Sequence, residues 1–117
     1  MNGAPPTIYD VAAIDGLLSA GRPLPRAIVC ANDLAALGAV HTLARRGVDV
    51  PGDVAVTGFD DIPVRRLHPG LTTVRQPIQE LGATAFELLE SLVGNGQPEP
   101  RDVVLPTRLI RRESCGC

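Results

Sequence analysis

The sequence contains no lysine and no tryptophan, and its aromatic residues are two phenylalanines and one tyrosine. All 11 cationic residues are therefore arginines, set against 13 acidic residues for a formal net charge of −2. This balance argues against a surface built mainly for nucleic acid, which is recognised by clustered cations over its phosphates. The arginine pairs are scattered along the chain, and we expect them on solvated faces.

Long apolar runs are also missing. No stretch approaches the roughly 20 apolar residues that a membrane-spanning helix needs. The N-terminal residues lack the charged leader and apolar region of a secretion signal. We therefore expect a cytoplasmic protein without membrane contact, and 117 residues are enough for one domain with a real core.

Reactive and metal-binding groups are sparse. Cys30 lies in an apolar run, whereas Cys115 and Cys117 form a Cys-x-Cys pair without a second pair of ligands. That pair could oxidise or hold a soft metal, but closed zinc sites need more ligands at recognisable spacings, so we predict no metal and no cofactor. The adjacent Asp60 and Asp61 would point to opposite sides of an extended chain, and no nucleophile elbow or glycine-rich phosphate loop is present. We predict no catalytic residues and no enzymatic activity.

Two short apolar runs, residues 27–31 and 54–58, organise the chain. Each is rich in β-branched residues and bounded by polar or turn residues, which is typical of a buried central strand in a parallel sheet. The segment between them has helical apolar spacing and is predicted to be the crossover helix, with Asn32 as its N-cap and Gly47 as its left-handed cap. Because the carboxyl ends of parallel strands meet at one edge, we expect Asn32 and Asp60 to converge there.

The remaining patterns complete an α/β fold in which helices cover a parallel sheet, a three-layer Rossmann-like arrangement. They predict a short amphipathic helix within residues 7–20, a helical turn at 64–67, a third strand at 71–74, a long helix following Pro77, and an edge pair of strands at 102–105 and 107–111. In the long helix, Ile78, Leu81, Ala85, Leu88 and Leu92 recur at helical spacing and are expected to form its core face.

Asn32 and Asp60 together suit one small polar molecule, since an amide both donates and accepts while a carboxylate takes two donors side by side. Vicinal sugar hydroxyls and nucleobase nitrogens present such donors. Phe59 could offer an apolar face to a sugar, and Gln76 a further amide. The alternative reading remains open: Asn32 only caps its helix, Asp60 and Asp61 only form a turn, and Phe59 belongs to the core.

Several motifs in order resemble the C-terminal half of LacI/GalR transcriptional regulators. They are ANDLAALGA (31–39), RGVDVPGDVAVTGFDD (46–61), HPGLTTVRQP (68–77), ELG (80–82) and RRESCGC (111–117). The resemblance implies one subdomain of the type I periplasmic-binding-protein-like fold at residues 24–117, after a leader and short helix at 1–23. It implies that Asn32 and Asp60 contact an effector, with lesser parts for Phe59 and Gln76. It also implies a homodimer through the outer face of the crossover helix, including Leu37, and through residues 64–67, including Leu67.

A complete regulator also has a DNA-binding domain and a second lobe, for which we expect no room here. Residues 7–12 are similar to the opening of the family's helix-turn-helix, as a remnant or by chance, but no recognition helix follows. We therefore expect the effector-sensing and dimerisation part of a regulator, with a sugar-like or nucleobase-like effector bound at millimolar affinity or weaker, and DNA contacted only through a domain missing from this chain. The alternative is one lobe of a periplasmic sugar-binding protein.

Overall fold

A computed structural model describes residues 11–63, 69–94 and 102–117. Its elements are α1 (Val11–Ser19), β1 (Ala27–Val29), α2 (Asp33–Arg45), β2 (Ala55–Thr57), β3 (Thr73–Arg75), α3 (Ile78–Gly94), β4 (Arg108–Ile110) and a 3-10 turn at Glu113–Cys115. The described residues form two compact units: one runs up to Arg75 and resumes at Leu109, and the other is Gln76–Arg108. None of the described helices is long and apolar enough to span a membrane.

The first unit is built on a parallel strand-helix-strand arrangement. β1 and β2 pair in parallel along all three residues of each strand, with α2 as the connection between them. Parallel bridges from Thr57 to Thr72 and from Asp60 to Arg75 continue the pairing toward β3. The predicted parallel α/β fold is confirmed, and it places the ends of β1 and β2 side by side.

Helix α2 begins and ends as its sequence predicts. The Asn32 side chain accepts a hydrogen bond from the backbone N–H of Ala35 at 2.8 Å, which satisfies one of the helix's unpaired amides. Gly47 has a φ of +74°, and the amide of Val48 donates to the carbonyl of Leu43 at 2.9 Å. This is the pattern of a Schellman end, which requires a left-handed residue that glycine supplies without strain.

The core of this unit lies between α2 and the strands. Its buried apolar residues are Ala36, Ala39, Val40, Leu43, Val50, Val54, Val56 and Leu71, with Ile14 and Leu18 of α1 packed against them. Leu43 and Val56 have no exposed surface. Removing a leucine side chain from such a position typically costs about 2–5 kcal/mol, so α2 is held to the sheet mainly by this cluster.

The prediction that β1 is a buried central strand is wrong. Val29 keeps 82% of its surface exposed, and Cys30 follows the strand and is half-buried. A run of apolar residues shows that a segment suits burial, but it does not show whether both of its faces are covered. Among the described residues, only one face of β1 packs on the core.

Helix α3 has the predicted length, but its expected core face is not buried. No residue of α3 is buried, and Ile78, Leu81 and Leu92 are 62%, 39% and 44% exposed. Amphipathic spacing identifies the apolar face of a helix, but it does not identify the element that packs against this face. A shallow groove of about 490 Å³ runs between α3 and residues 103–105 within the second unit.

Other predicted elements differ in extent. The third strand begins two residues later than expected, and residues 102–107 form no strand, so the predicted edge pair reduces to β4. Pro106 cannot donate to a ladder, which is consistent with the shorter strand. The predicted helical turn at 64–67 and the similarity at 7–12 fall on residues outside those that the structure describes, apart from α1 residues 11 and 12.

Candidate functional site

The ends of β1 and β2 are joined directly by backbone hydrogen bonds. The amide of Cys30 donates to the carbonyl of Thr57 at 2.9 Å, and the amide of Asp33 donates to the carbonyl of Phe59 at 2.8 Å. Asn32 immediately precedes Asp33 in the sequence, and Asp60 immediately follows Phe59. The structure therefore places Asn32 and Asp60, both half-buried, at the same edge of the sheet.

The capping role of Asn32 leaves part of its side chain for other contacts. Its Oδ1 atom accepts from the amide of Ala35, so the carbonyl side faces the first turn of α2. The Nδ2 group takes no part in this cap and carries two donors. Asn32 can therefore cap the helix and present donors at the sheet edge, so the two readings of this residue are compatible.

The backbone at Asp60 and Asp61 is not extended, although the sequence alone had suggested that it would be. Their φ angles are +111° and +53°, a region that residues other than glycine rarely occupy. Such residues typically cost about 1–3 kcal/mol each and persist only where their surroundings hold them. The turn expected at these two residues is therefore present as a constrained one, and the carboxylate of Asp60 leaves the backbone in a direction that an extended strand would not give.

Phe59 and Gln76 differ in their positions. Phe59 is 36% exposed and so is not a buried core residue, which leaves part of its ring surface in solvent at the sheet edge. Gln76 is the first residue of the second compact unit. Its part in an effector site stays a prediction.

The two residues predicted for the dimer interface also differ in their positions. Leu37 on α2 is half-buried, and Leu67 lies outside the described residues.

Sequence reasoning missed the structural part played by Asp33. Its side chain is 2% exposed and accepts hydrogen bonds from the hydroxyl of Thr73 and from the amide of Ile62, the latter at 2.9 Å. One carboxylate thus joins the start of α2, the turn after β2, and β3. Gly58 fits beside it: a Cβ there would collide with Asp33 Oδ1 and lie 3.1 Å from Leu71 Cδ2. From the sequence alone, an aspartate in the first turn of α2 indicates only a favourable interaction with the helix dipole.

A second missed feature is an ion-pair bridge centred on Asp61. Its Oδ2 atom lies 2.6 Å from Nε of Arg75 and its Oδ1 atom lies 2.8 Å from Nη2 of Arg112. Burial pushes the pKa of Asp61 upward, but the hydrogen bonds and charges of Arg112 and Arg75 outweigh it and lower the pKa below its usual value. The carboxylate is therefore ionised at neutral pH. The pairing joins residues up to 51 positions apart, which spacing alone does not reveal.

Three cysteines occupy two different settings. Cys115 and Cys117 form a disulfide with their Cα atoms 5.3 Å apart, so the Cys-x-Cys pair is oxidised. Cys30 is a free thiol whose pKa is raised by burial, which disfavours the reactive thiolate. Within the part of the chain that the structure describes, no three potential ligands from His, Cys, Asp and Glu cluster as a metal site would require.

Open parallel α/β sheets bind ligands at the edge where the carboxyl ends of their strands meet. The polar side chains found at that edge here are typical of this class of ligand-binding proteins. Residues 2–115 match the family described as periplasmic binding protein-like domain, and the chain belongs to this family as part of a LacI/GalR-type effector-binding domain. This confirms the resemblance and the fold class that the motifs implied.

Three similar proteins illustrate the match. The HTH-type transcriptional regulator GalR of Escherichia coli K12 is 44% identical over 104 residues, which are 87% of this chain and 30% of GalR. The structure of a LacI-family regulator from Sanguibacter keddieii superposes with a TM-score of 0.84 at 38% identity, covering 92% of this chain and 40% of that one. The complex of the transcriptional regulator CelR with cellobiose gives a TM-score of 0.82 at 38% identity, covering 91% and 33%. The chain spans between 25% and 30% of the length of the curated relatives compared.

Proposed function

We propose that this chain is the effector-sensing and dimerisation part of a LacI/GalR-type transcriptional regulator, and that its effector is a small sugar-like molecule. The observation that carries the proposal is the hydrogen bond from the amide of Asp33 to the carbonyl of Phe59, because it brings Asn32 and Asp60 to one edge. Two kinds of relative support it: GalR is named a transcriptional regulator, and CelR holds cellobiose.

Each residue has a distinct chemical part in this proposal. The Asp60 carboxylate accepts hydrogen bonds from two adjacent sugar hydroxyls, and the Nδ2 group of Asn32 donates to a hydroxyl oxygen. Phe59 covers an apolar C–H face of the ring, and Gln76 adds a further amide. Nucleobases present similar donors and are the second effector class. No step of this function requires a cofactor, a metal or a catalytic residue.

The expected affinity for the effector follows from the number of polar groups that contact it. Three or four polar contacts that each contribute about 1 kcal/mol net give weak binding, whereas tight sites bury about 70–90% of the ligand. We therefore expect millimolar or weaker binding to this chain, which spans a minor part of the length of its relatives. A micromolar affinity would contradict this half-site argument.

A nuclear magnetic resonance titration tests the site directly. Labelled protein is titrated with cellobiose, lactose, galactose, ribose and adenine, and we expect saturable amide shifts at Asn32, Phe59 and Asp60 for at least one probe. Asn32→Asp keeps an oxygen for the helix cap but removes the amide donors, and Asp60→Asn removes the acceptor charge, so both should weaken the shifts. Asp15→Asn is the control, because Asp15 lies on α1 and makes only a long pair, 3.8 Å, with Arg46 at the end of α2. If no probe shifts these amides, the proposed site is wrong.

The proposed function also includes a homodimer and a location in the cell. The outer face of α2, including Leu37, would pair with a second copy, with Leu67 as a further contact. The setting of such a regulator would be the cytoplasm. The relatives compared are named transcriptional regulators, which supports a regulator over the alternative of one lobe of a periplasmic sugar-binding protein.

A further inference from the structure

The turn that carries Asp60 is held by its neighbours at successive amides. The amide of Asp60 donates to the carbonyl of Val74 at 2.9 Å, and the amide of Ile62 donates to Asp33 Oδ2 at 2.9 Å. Between them, the amide of Asp61 meets the Thr73 hydroxyl only at 3.4 Å. That middle contact is too long to hold a backbone segment on its own.

The side chain of Asp61 supplies the missing restraint. Its side chain is 9% exposed, and the carboxylate is bound on one oxygen by Arg75 at 2.6 Å and on the other by Arg112 at 2.8 Å. Charge-assisted hydrogen bonds of this kind are roughly twice as strong as neutral ones. With both oxygens fixed, the side chain of Asp61 anchors the peptide that links it to Asp60.

The two arginines are themselves anchored to the sheet. Arg75 is the last residue of β3, which is bridged in parallel to Asp60. Arg112 donates through Nη1 to the carbonyl of Leu71 at 2.8 Å, and its amide donates to the Thr72 hydroxyl at 2.9 Å. The bridge therefore transfers the rigidity of two separate segments to the turn.

We propose that Asp61 is the positioning residue of the effector site: the bridge from Arg75 through Asp61 to Arg112 holds Asp60 at its positive φ, and so aims the Asp60 carboxylate at the ligand. This inference rests on the proposed function of Asp60 as an effector contact. Asp61 itself does not touch the effector. Its contribution to binding comes entirely through the backbone conformation of its neighbour.

Asp61→Asn is the sharpest test. Asparagine has nearly the size of aspartate and tolerates a positive φ equally well, so the substitution removes the charge without adding backbone strain. Relaxing a turn that stores about 1–3 kcal/mol corresponds to roughly a fivefold to hundredfold change in affinity, and we expect a decrease of about tenfold. Since binding is weak, affinity is compared through the initial slope of the amide shifts with cellobiose, or with another sugar of the panel that binds wild type more strongly.

A second readout measures the conformation itself in the ligand-free protein. The three-bond coupling between the amide and α protons of Asp60 depends on φ, and it is small at +111° and large in an extended chain. We expect this coupling to increase in Asp61→Asn and to be unchanged in Asp15→Asn. If the ion pair only stabilised the fold, its removal in Asp61→Asn would lower the melting temperature without altering this coupling.

The outcomes separate cleanly. A weaker slope together with a changed coupling supports the positioning role, whereas a change in only one of them, or in neither, overturns it. If no probe binds wild type, the proposed function fails, and the coupling alone still shows whether Asp61 sets the conformation of Asp60. Should Asp61→Asn fail to fold, Arg75→Gln removes the more exposed end of the bridge, 51% exposed, and the same two readouts apply.

Discussion

The hydroxyl of Ser114 donates a hydrogen bond to the backbone carbonyl of Val56, 2.6 Å away and 58 positions earlier in the sequence. The same oxygen accepts from the amide of Thr72 at 2.8 Å, and the residue is completely buried. One small side chain therefore joins β2 to the residue that leads into β3. This connection fixes the spacing of the two segments that flank Asp60.

Replacing Ser114 by alanine should destabilise the protein by about 1–3 kcal/mol, because it leaves a buried carbonyl and a buried amide without partners. The free energy of unfolding from urea titration measures this. Ser19→Ala is the matched control, since Ser19 is exposed and accepts an exposed hydrogen bond from Arg46, and its effect should stay within about 0.5 kcal/mol. Equal effects for the two serines would show that the Ser114 bonds contribute nothing specific.

Gly58→Ala should destabilise the protein by about 1–3 kcal/mol, because the added methyl group meets the Asp33 carboxylate and lies 3.2 Å from its Cα atom. The backbone atom cannot move aside as a flexible side chain would. Gly38→Ala is the contrasting substitution: Gly38 lies within α2 with open space around it, so alanine there should stabilise the helix by roughly 0.5–1 kcal/mol. Melting temperatures that shift in the same direction for both variants would contradict the packing at Gly58.

The contribution of Asp61 to stability should depend on pH in a defined direction. Burial raises its pKa but Arg112 and Arg75 lower it further, so the folded-state pKa lies below the unfolded value of about 3.9. A group of this kind stabilises the fold at pH values above its unfolded pKa, and the stabilisation is lost as the pH falls through the folded pKa. The stability difference between wild type and Asp61→Asn should therefore be largest at neutral pH and shrink below roughly pH 4. The difference for Ser19→Ala should stay constant, and so would that of Asp61→Asn if the bridge were absent.

Leu37→Glu should convert the proposed dimer into a monomer, because it places a charge on the face of α2 that is proposed to pair with a second copy. Light scattering coupled to gel filtration measures the mass. Leu24→Glu is the control, a leucine 36% exposed in the segment before β1 and away from α2 in sequence. A mass that is unchanged by Leu37→Glu but reduced by Leu24→Glu would move the interface to another surface.

The sequence was most informative where a local rule determines the structure. Parallel pairing followed from two β-branched runs separated by a helix, and both ends of α2 followed from Asn32 and Gly47. The position of Asn32 and Asp60 at one edge is a consequence of that topology. None of these conclusions required knowledge of contacts between distant residues.

The rest of the site depends on contacts that no spacing encodes. Asp33 is buried because Thr73 and the amide of Ile62 come to it from β3 and from the turn after β2. Asp61 binds Arg112 only because the segment before the 3-10 turn returns to Thr72. The burial of β1 was overestimated for the same reason, since an apolar run does not specify what lies against its second face.

The apolar residues of α3 have a practical consequence for anyone handling this protein. Phe86 and Val93 present 61% and 80% of their surface to solvent, and Leu89 presents 55%. Dyes whose fluorescence increases on exposed hydrophobic surface will therefore bind the native protein before any heating. Thermal-shift assays based on such dyes will start from a high background, so melting is better followed by calorimetry or circular dichroism.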